Sequence, residues 1–380
     1  MRKLLTIVLP FLALTACAPP QQTQTTVVHA VIVNARVLVD TRINGSAPLP
    51  FLLDTGASES VLNADRLTES GLRGGAPGSA SVEGGAVETQ VVPGVTLAVG
   101  DATLPSRAVA ALSLRGVEAG LGHRIYGIIG GELFERRVVT IDYERRAVSL
   151  SSTAPGRGIE IPISIEDGTP IATASIDGQS GRFQIDTGGG MAVLNAPFLA
   201  AHPALLPAKT LPMTSGAVMP GRSRGGVGRA GLLQLGPIRI ERPIVNYSQN
   251  ASGDRVDVDS GLIGGDVLSR FSLTVDYARS RLLLEPNPRS GTAFEFTGSG
   301  VSLAAEGPEL DIVRVRTVIP GSPAAEADIR AGDRIVSVDR VAHSLDEARQ
   351  ILNDVSRTSD LVIDREGARL TKRLVHRRLL

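Results

Sequence analysis

Tryptophan is absent from this sequence, and with four Tyr and eight Phe the aromatic share is only 3%. A single cysteine, Cys17, excludes any disulfide within the chain, even in a compartment that would permit one. The five histidines (His29, His123, His202, His343 and His376) show no HExxH or paired spacing, so neither a metal site nor a metal mechanism is expected. No cofactor is expected either. An excess of one charge is also lacking. Lys and Arg total 39 against 39 Asp and Glu, which removes the electrostatic footprint of a general nucleic-acid partner. The local cluster Lys372, Arg373, Arg377 and Arg378 reads as a solvated strand face.

Long hydrophobic runs are lacking beyond Leu4 to Ala16, and that run is too short to cross a bilayer as a helix. With Arg2 and Lys3 before it, it has the form of a signal peptide, so residues 1–16 are expected to be removed on export. Leu14, Thr15, Ala16 and Cys17 resemble the bacterial lipobox. The resemblance implies lipid on Cys17, with the mature chain anchored to a membrane on the periplasmic side of the cell envelope. Plain signal-peptidase cleavage beside a stray cysteine is the alternative. The polar segment 17–26 would then be a tether.

What the chain has in abundance is Gly (42) and Pro (23), which favours many short strands and turns over long helices. It also contains a repeat. "FLLDTGASESVLN" (Phe51 to Asn63) recurs as "RFQIDTGGGMAVLN" (Arg182 to Asn195), and "YGIIGGELFERRVVTIDYERRAVSL" (Tyr126 to Leu150) recurs as "SGLIGGDVLSRFSLTVDYARSRLLL" (Ser260 to Leu284). Asp54 and Asp186 lie 132 residues apart, and Gly130 and Gly264 lie 134 apart, so the repeat is a duplicated lobe. The lobes are expected at 27–150 and 159–285. Within them, β-branched runs at Val31 to Asp40 and Ile161 to Ala174 read as strands, and Asn63 and Asn195 as N-caps of short helices. Each repeated Asp therefore falls at a strand end, in a tight loop.

Two Asp-Thr-Gly motifs at equivalent repeat positions, each followed by an apolar-apolar-Gly triplet (Ile128, Ile129, Gly130; Leu262, Ile263, Gly264), resemble the aspartic peptidases. The resemblance is to the small bacterial relatives of the retroviral proteases, with two lobes fused in one chain. It implies a mainly β fold of two pseudo-symmetric barrel lobes, with Asp54 and Asp186 as the catalytic pair. Two carboxyls held about 3 Å apart cannot both ionise, so they share one proton and activate a water between them. Thr55 and Thr187 would hydrogen-bond across the two-fold axis, the N–H groups of Gly56 and Gly188 would bond the outer carboxylate oxygens, and Gly130 and Gly264 would admit a neighbouring strand. The second motif departs from the family pattern in Gly189 and Gly190. The Gly-rich stretches Gly78 to Gln90 and Met213 to Gly228, with Gly84, Gly85 and Gly221, sit where the family carries flaps.

The C-terminal segment, 294–377, resembles the PDZ domains of bacterial envelope proteases through Pro320, Gly321, Ser322, Pro323 and Ala324 and through Ala331, Gly332 and Asp333. Ser344 and Glu347 form a capping box, and Leu345, Ala348, Ile351, Leu352 and Val355 make a helical stripe. Gly300, Val301, Ser302 and Leu303 are the expected carboxylate-binding loop, which would receive a peptide C-terminus by strand addition. The turn-rich composition of Glu285 to Ala293 implies few contacts across the junction. Together these readings point to an exported, membrane-anchored aspartic endopeptidase that acts on an envelope protein or peptide. A catalytically silent peptide-binding scaffold is the alternative, and a third arrangement would pair each lobe with one from another chain.

Overall fold

The computed structural model describes residues 25–82, 85–105, 108–215, 223–249 and 260–380. Cys17, Gly84 and Gly221 lie outside the described residues. The fold is mainly β, at 48% strand and 14% helix.

Lobe 1 comprises β1 (Thr26–Val33), β2 (Arg36–Ile43), β3 (Leu49–Leu53), β4 (Val61–Asn63), β5 (Ala76–Val82), β6 (Gly85–Pro93), β7 (Thr96–Val99), β8 (Ala102–Pro105) and β9 (Ala108–Leu112). It closes with α1 (Arg115–Leu121), β10 (Gly127–Ile129), α2 (Gly131–Arg136), β11 (Val138–Asp142) and β12 (Ala147–Ser151). Lobe 2 repeats the plan through β13 (Ile159–Glu166), β14 (Thr169–Ile176), β15 (Gln179–Ile185), β16 (Ala192–Leu194), α3 (Ala196–Ala201), β17 (Leu211–Ser215) and β18 (Ser223–Arg229). It ends with β19 (Leu232–Leu235), β20 (Ile238–Glu241), β21 (Ile244–Ser248), β22 (Gly261–Ile263), α4 (Gly265–Leu268), β23 (Phe271–Asp276) and β24 (Arg281–Pro286).

Each β-branched run read as a strand contains a hairpin turn. Asn34 and Ala35 take φ of 47° and 63°, and Asp167 and Gly168 take 47° and 75°, folding β1 onto β2 and β13 onto β14. In both lobes the strand leading to the repeated Asp is central. β3 pairs parallel to β10, and β15 to β22, burying Phe51, Leu53, Phe183 and Ile185 in one apolar core. The lobes join through β11 and β23, antiparallel with Thr140 opposite Thr274 and their hydroxyls 2.9 Å apart. Residues on either side of that pair match across the repeat, so it marks a pseudo-two-fold axis. Asn63 caps a short 3-10 turn, its side chain accepting from Asp65 N. Helix α1 had no sequence signal of its own. It buries Val117 and Leu121, and its Glu118 pairs with the buried Arg66 at 2.5 Å.

The C-terminal sheet holds β25 (Val301–Glu306), β26 (Ile312–Val318), β27 (Arg334–Val338), β28 (Thr358–Arg365) and β29 (Ala368–Val375), in that spatial order. Two helices accompany it, α5 (Pro323–Glu326) and α6 (Leu345–Asn353). The capping box of Ser344 and Glu347 opens α6, which buries Leu345, Ala348 and Leu352 in a core of its own. Val355 lies past the end of this helix. The basic cluster is paired: Lys372 with Asp328, Arg373 with Asp360, Arg377 with Glu326 and Arg378 with Glu295.

The junction is not the sparse linker that its composition suggested. Phe294 is buried in the core of the lobes with the Arg270 guanidinium 3.4 Å from its ring centroid. Lys209 donates to the carbonyl of Leu379 at 2.7 Å, and Arg229 to those of Phe294 at 3.1 Å and Leu380 at 3.3 Å. Leu211, Ile319 and Leu379 form a small apolar cluster spanning the two parts. A chain ending at Pro286 should therefore lose about 3 kcal/mol or more from the lobes, through the emptied Phe294 site and its neighbours. Denaturant unfolding of the truncated chain checks this, and unchanged lobe stability would contradict it. Among the described residues no helix is long and apolar enough to cross a membrane.

Candidate active site

Strands β3 and β15 deliver Asp54 and Asp186 to the same place between the lobes. Each backbone N–H is held by the parallel neighbour strand, Asp54 N to Ile129 O at 2.9 Å and Asp186 N to Ile263 O at 3.1 Å. Both carboxyls converge on the Gly56 loop, where a Cβ would lie 2.8 Å from the Asp186 carboxyl carbon and 3.0 Å from Asp54 Oδ1. On each side a glycine N–H reaches the carboxylate of its own loop, Gly56 N to Asp54 Oδ1 at 2.7 Å and Gly188 N to Asp186 Oδ1 at 2.8 Å. Gly189 N adds a further bond to Asp186 Oδ1 at 2.7 Å, and a Cβ there would lie 2.7 Å from Asp186 Oδ2, so the departure from the usual motif leaves room for this carboxylate.

Beneath the carboxyls the threonines interlock. Thr55 Oγ1 donates to Ile185 O at 2.6 Å and accepts from Thr187 N at 3.0 Å, while Thr187 Oγ1 donates to Leu53 O at 2.9 Å and accepts from Thr55 N at 3.0 Å. Both threonines are fully buried. Each loop is also backed by a glycine that nothing larger could replace. A Cβ on Gly130 would lie 2.6 Å from the Glu59 carbonyl carbon, and one on Gly264 would lie 2.5 Å from Met191 O.

Burial raises the Asp54 pKa well above the usual carboxylate range, and the charge of Asp186 and the hydrogen bond to it push in the same direction. The N–H groups of Gly56 and Gly188 oppose the shift. Two repeat-equivalent tyrosines stand nearby, Tyr143 raised by burial and by Asp186, and Tyr277 raised by burial and by Asp54. Each thus feels the Asp of the other lobe.

Several residues of the site were not picked out from sequence. Arg36 Nε donates to Gly188 O at 2.8 Å, and a Cβ on Gly190 would lie 2.7 Å from Arg36 Nη2, so Gly190 leaves room for the guanidinium. Burial lowers the Arg36 pKa, while Asp186 and Asp54 raise it. Gln184 Nε2 donates to Gly56 O at 3.3 Å. An acid after each apolar-apolar-Gly triplet braces the loop six residues beyond the repeated Asp. Ser60 N donates to Glu132 Oε2 at 2.9 Å, and Ala192 N to Asp266 Oδ1 at 3.1 Å. The repeat itself held that signal, in "GGE" and "GGD".

Burial pushes Asp266 up to about 8, against the pull of the Val267 and Ala192 N–H groups and Arg270. Its folded pKa exceeds the unfolded value of 3.8, so the folded state holds this proton more tightly. The associated stability is fully present below the unfolded value and is lost as pH rises through about 8. Asp266→Asn should therefore flatten the decline in melting temperature across that window while changing little in acid, as thermal melts at stepped pH would show.

The flap stretches form hairpins, β5 with β6 and β17 with β18. Gly85 opens β6. "GRSRG", residues 221–225, matches the nucleophile-elbow pattern of serine hydrolases, but Ser223 begins a hairpin strand opposite Ser215 where that mechanism needs a strand-to-helix turn. In the C-terminal domain Gly300 takes φ 84°, and Val301, Ser302 and Leu303 lie on the edge strand β25.

Residues 39–133 match the family model for aspartyl proteases, and residues 314–365 match that for the PDZ domain. The first match takes in Asp54, Thr55, Gly56 and Gly130. No curated protein matches the chain.

Proposed function

We propose that this chain, which carries an aspartyl protease domain and a PDZ domain, is an endopeptidase whose catalytic groups are Asp54 and Asp186. The observation that carries the reading is the convergence of two half-buried carboxyls, drawn from equivalent places in the repeat, on the Gly56 and Gly188 loops. In the resting site the pair holds one proton and one negative charge between them. The ionised carboxyl takes a proton from the bound water as the oxygen attacks a peptide carbonyl, and its protonated partner hydrogen-bonds the oxyanion that forms. Collapse of the tetrahedral adduct expels the amine as the carboxyl protonated by the water passes that proton to the leaving nitrogen, which returns the pair to one shared proton. The hairpins β5–β6 and β17–β18 serve as flaps over an extended substrate, and the PDZ domain docks the substrate or a partner. The test is incubation with an unfolded casein-like protein and mass analysis of the fragments. Internal cuts support the reading, and intact substrate across the whole pH range defeats it in favour of the silent scaffold.

Activity should follow a bell in pH. It falls as pH rises through the raised pKa of Asp54, because the shared proton is lost, and falls again in strong acid when the remaining carboxylate is neutralised. A profile that keeps climbing into alkali would contradict this assignment.

We place the protein on the periplasmic side of the cell envelope, held to a membrane by lipid on Cys17, on the strength of the lipobox-like sequence at residues 14–17. Mass spectrometry of the mature N-terminus decides it, and an unmodified first residue other than Cys17 refutes lipidation. Cys17→Ser should release the protein without loss of stability, since no disulfide disappears.

A further inference from the structure

Strand β25 stands at one end of the PDZ sheet, so among the described residues one of its edges has no strand beside it. Leu303 faces that edge. Its partner across the ladder, Val315, uses both backbone groups towards Gly332 and Asp333 on the other side, so those of Leu303 point outward. A peptide added as a strand would have to meet this edge, between β25 and α6.

The approach is already filled by lobe 1. Helix α1 lies against β25. Just after α1, Gly122 packs on the first residue of α6, close enough that a Cβ there would fall 2.8 Å from Leu345 Cβ. His123 Nε2 stands 3.4 Å from Asp346 Oδ2, and Arg124 Nη1 stands 3.3 Å from Glu309 Oε2. From within the groove, Arg349 Nη2 donates to the outward carbonyl of Leu303 at 2.9 Å. The Arg124–Glu309 ion pair is solvent-exposed and therefore weak, which suits a contact that must release.

We propose that lobe 1 and a peptide C-terminus compete for the outer edge of β25, so that the PDZ domain takes a peptide only after it has separated from α1 and residues 122–124. The inference rests on the PDZ domain being a peptide binder and not on the catalytic pair. Segment 122–129 leads directly from this contact into β10, whose Ile129 carbonyl holds Asp54 N, so the contact and the catalytic loop are joined by a short stretch of chain.

The test uses the mature full-length chain carrying Asp54→Asn, so that no cleavage interferes and an inactive protein would serve equally well. The probe is a pool of random-sequence decapeptides with free C-termini, with the same pool amidated as control. Two further variants open the contact by different means. His123→Glu with Glu309→Arg sets like charges opposite Asp346 and Arg124. Gly122→Asn keeps charge constant and drives a side chain against Leu345, at a left-handed φ of 71° that Asn tolerates. Melting curves identify which variants remain folded. The parent should retain free-acid peptides no better than amidated ones, and at least one folded variant should retain the free-acid pool about tenfold better than the parent. Equal retention by parent and variants, or failure of both variants to prefer free-acid peptides, overturns the proposal.

Discussion

Replacing either Asp54 or Asp186 with Asn should lower peptide hydrolysis by about three orders of magnitude or more, and the double replacement should be scarcely worse than either single one. Asn keeps the shape of each side chain but cannot join in sharing one proton and one negative charge. Water activation needs both at once, so the first substitution already removes the chemistry and the second has little left to remove. Folding should survive, because the amide oxygen of Asn can still accept the loop N–H bonds from Gly56 and Gly188. The measurement is turnover of an unfolded protein substrate from acid to neutral pH, with a melt of each variant alongside. If Asp186→Asn leaves turnover intact while Asp54→Asn abolishes it, the partner of Asp54 lies in another chain.

Thr187→Val should cost about 3 to 4 kcal/mol of stability, a large effect for a change that conserves volume. The hydroxyl both donates to Leu53 O and accepts from Thr55 N, and both groups are buried between the lobes. Valine fills the space and satisfies neither, so two buried backbone groups lose their partners at about 1 to 3 kcal/mol each. By the local symmetry Thr55→Val should behave the same way, stranding Ile185 O and Thr187 N. Denaturant unfolding gives the number directly, and a loss below about 1 kcal/mol would mean that the interlock contributes little. Hydrolysis should fall too, since the loops bearing the two carboxyls are registered by these bonds.

The parts of the site legible in the sequence were those that the duplication wrote twice. Asp54 with Asp186, Thr55 with Thr187 and Gly130 with Gly264 stand at matching offsets, and the structure brings each pair to matching places. Arg36 has no counterpart in the second lobe and bonds Gly188, a residue 152 positions away, so no local pattern announced it. The hairpins at Asn34–Ala35 and Asp167–Gly168 were hidden because strong β-branched flanks masked a two-residue turn. Phe294 was missed for the opposite reason. Its surroundings read as linker, yet a cation from lobe 2 and the core of the lobes close over it.

The pairing of β11 with β23 through Thr140 and Thr274 has a consequence for how the protein behaves on dilution. Two separate chains meeting at such a strand pair would fall apart below their dissociation constant and lose the composite cleft with them. Here the halves are tethered, so each sees the other at an effective concentration on the order of millimolar whatever the bulk value. Specific activity should therefore stay constant down to the lowest assayable protein concentration. Tethering also ends the need for the halves to remain identical, so one half can keep Ala57 while the other adopts Gly189 and Gly190, and one can carry an arginine that the other lacks.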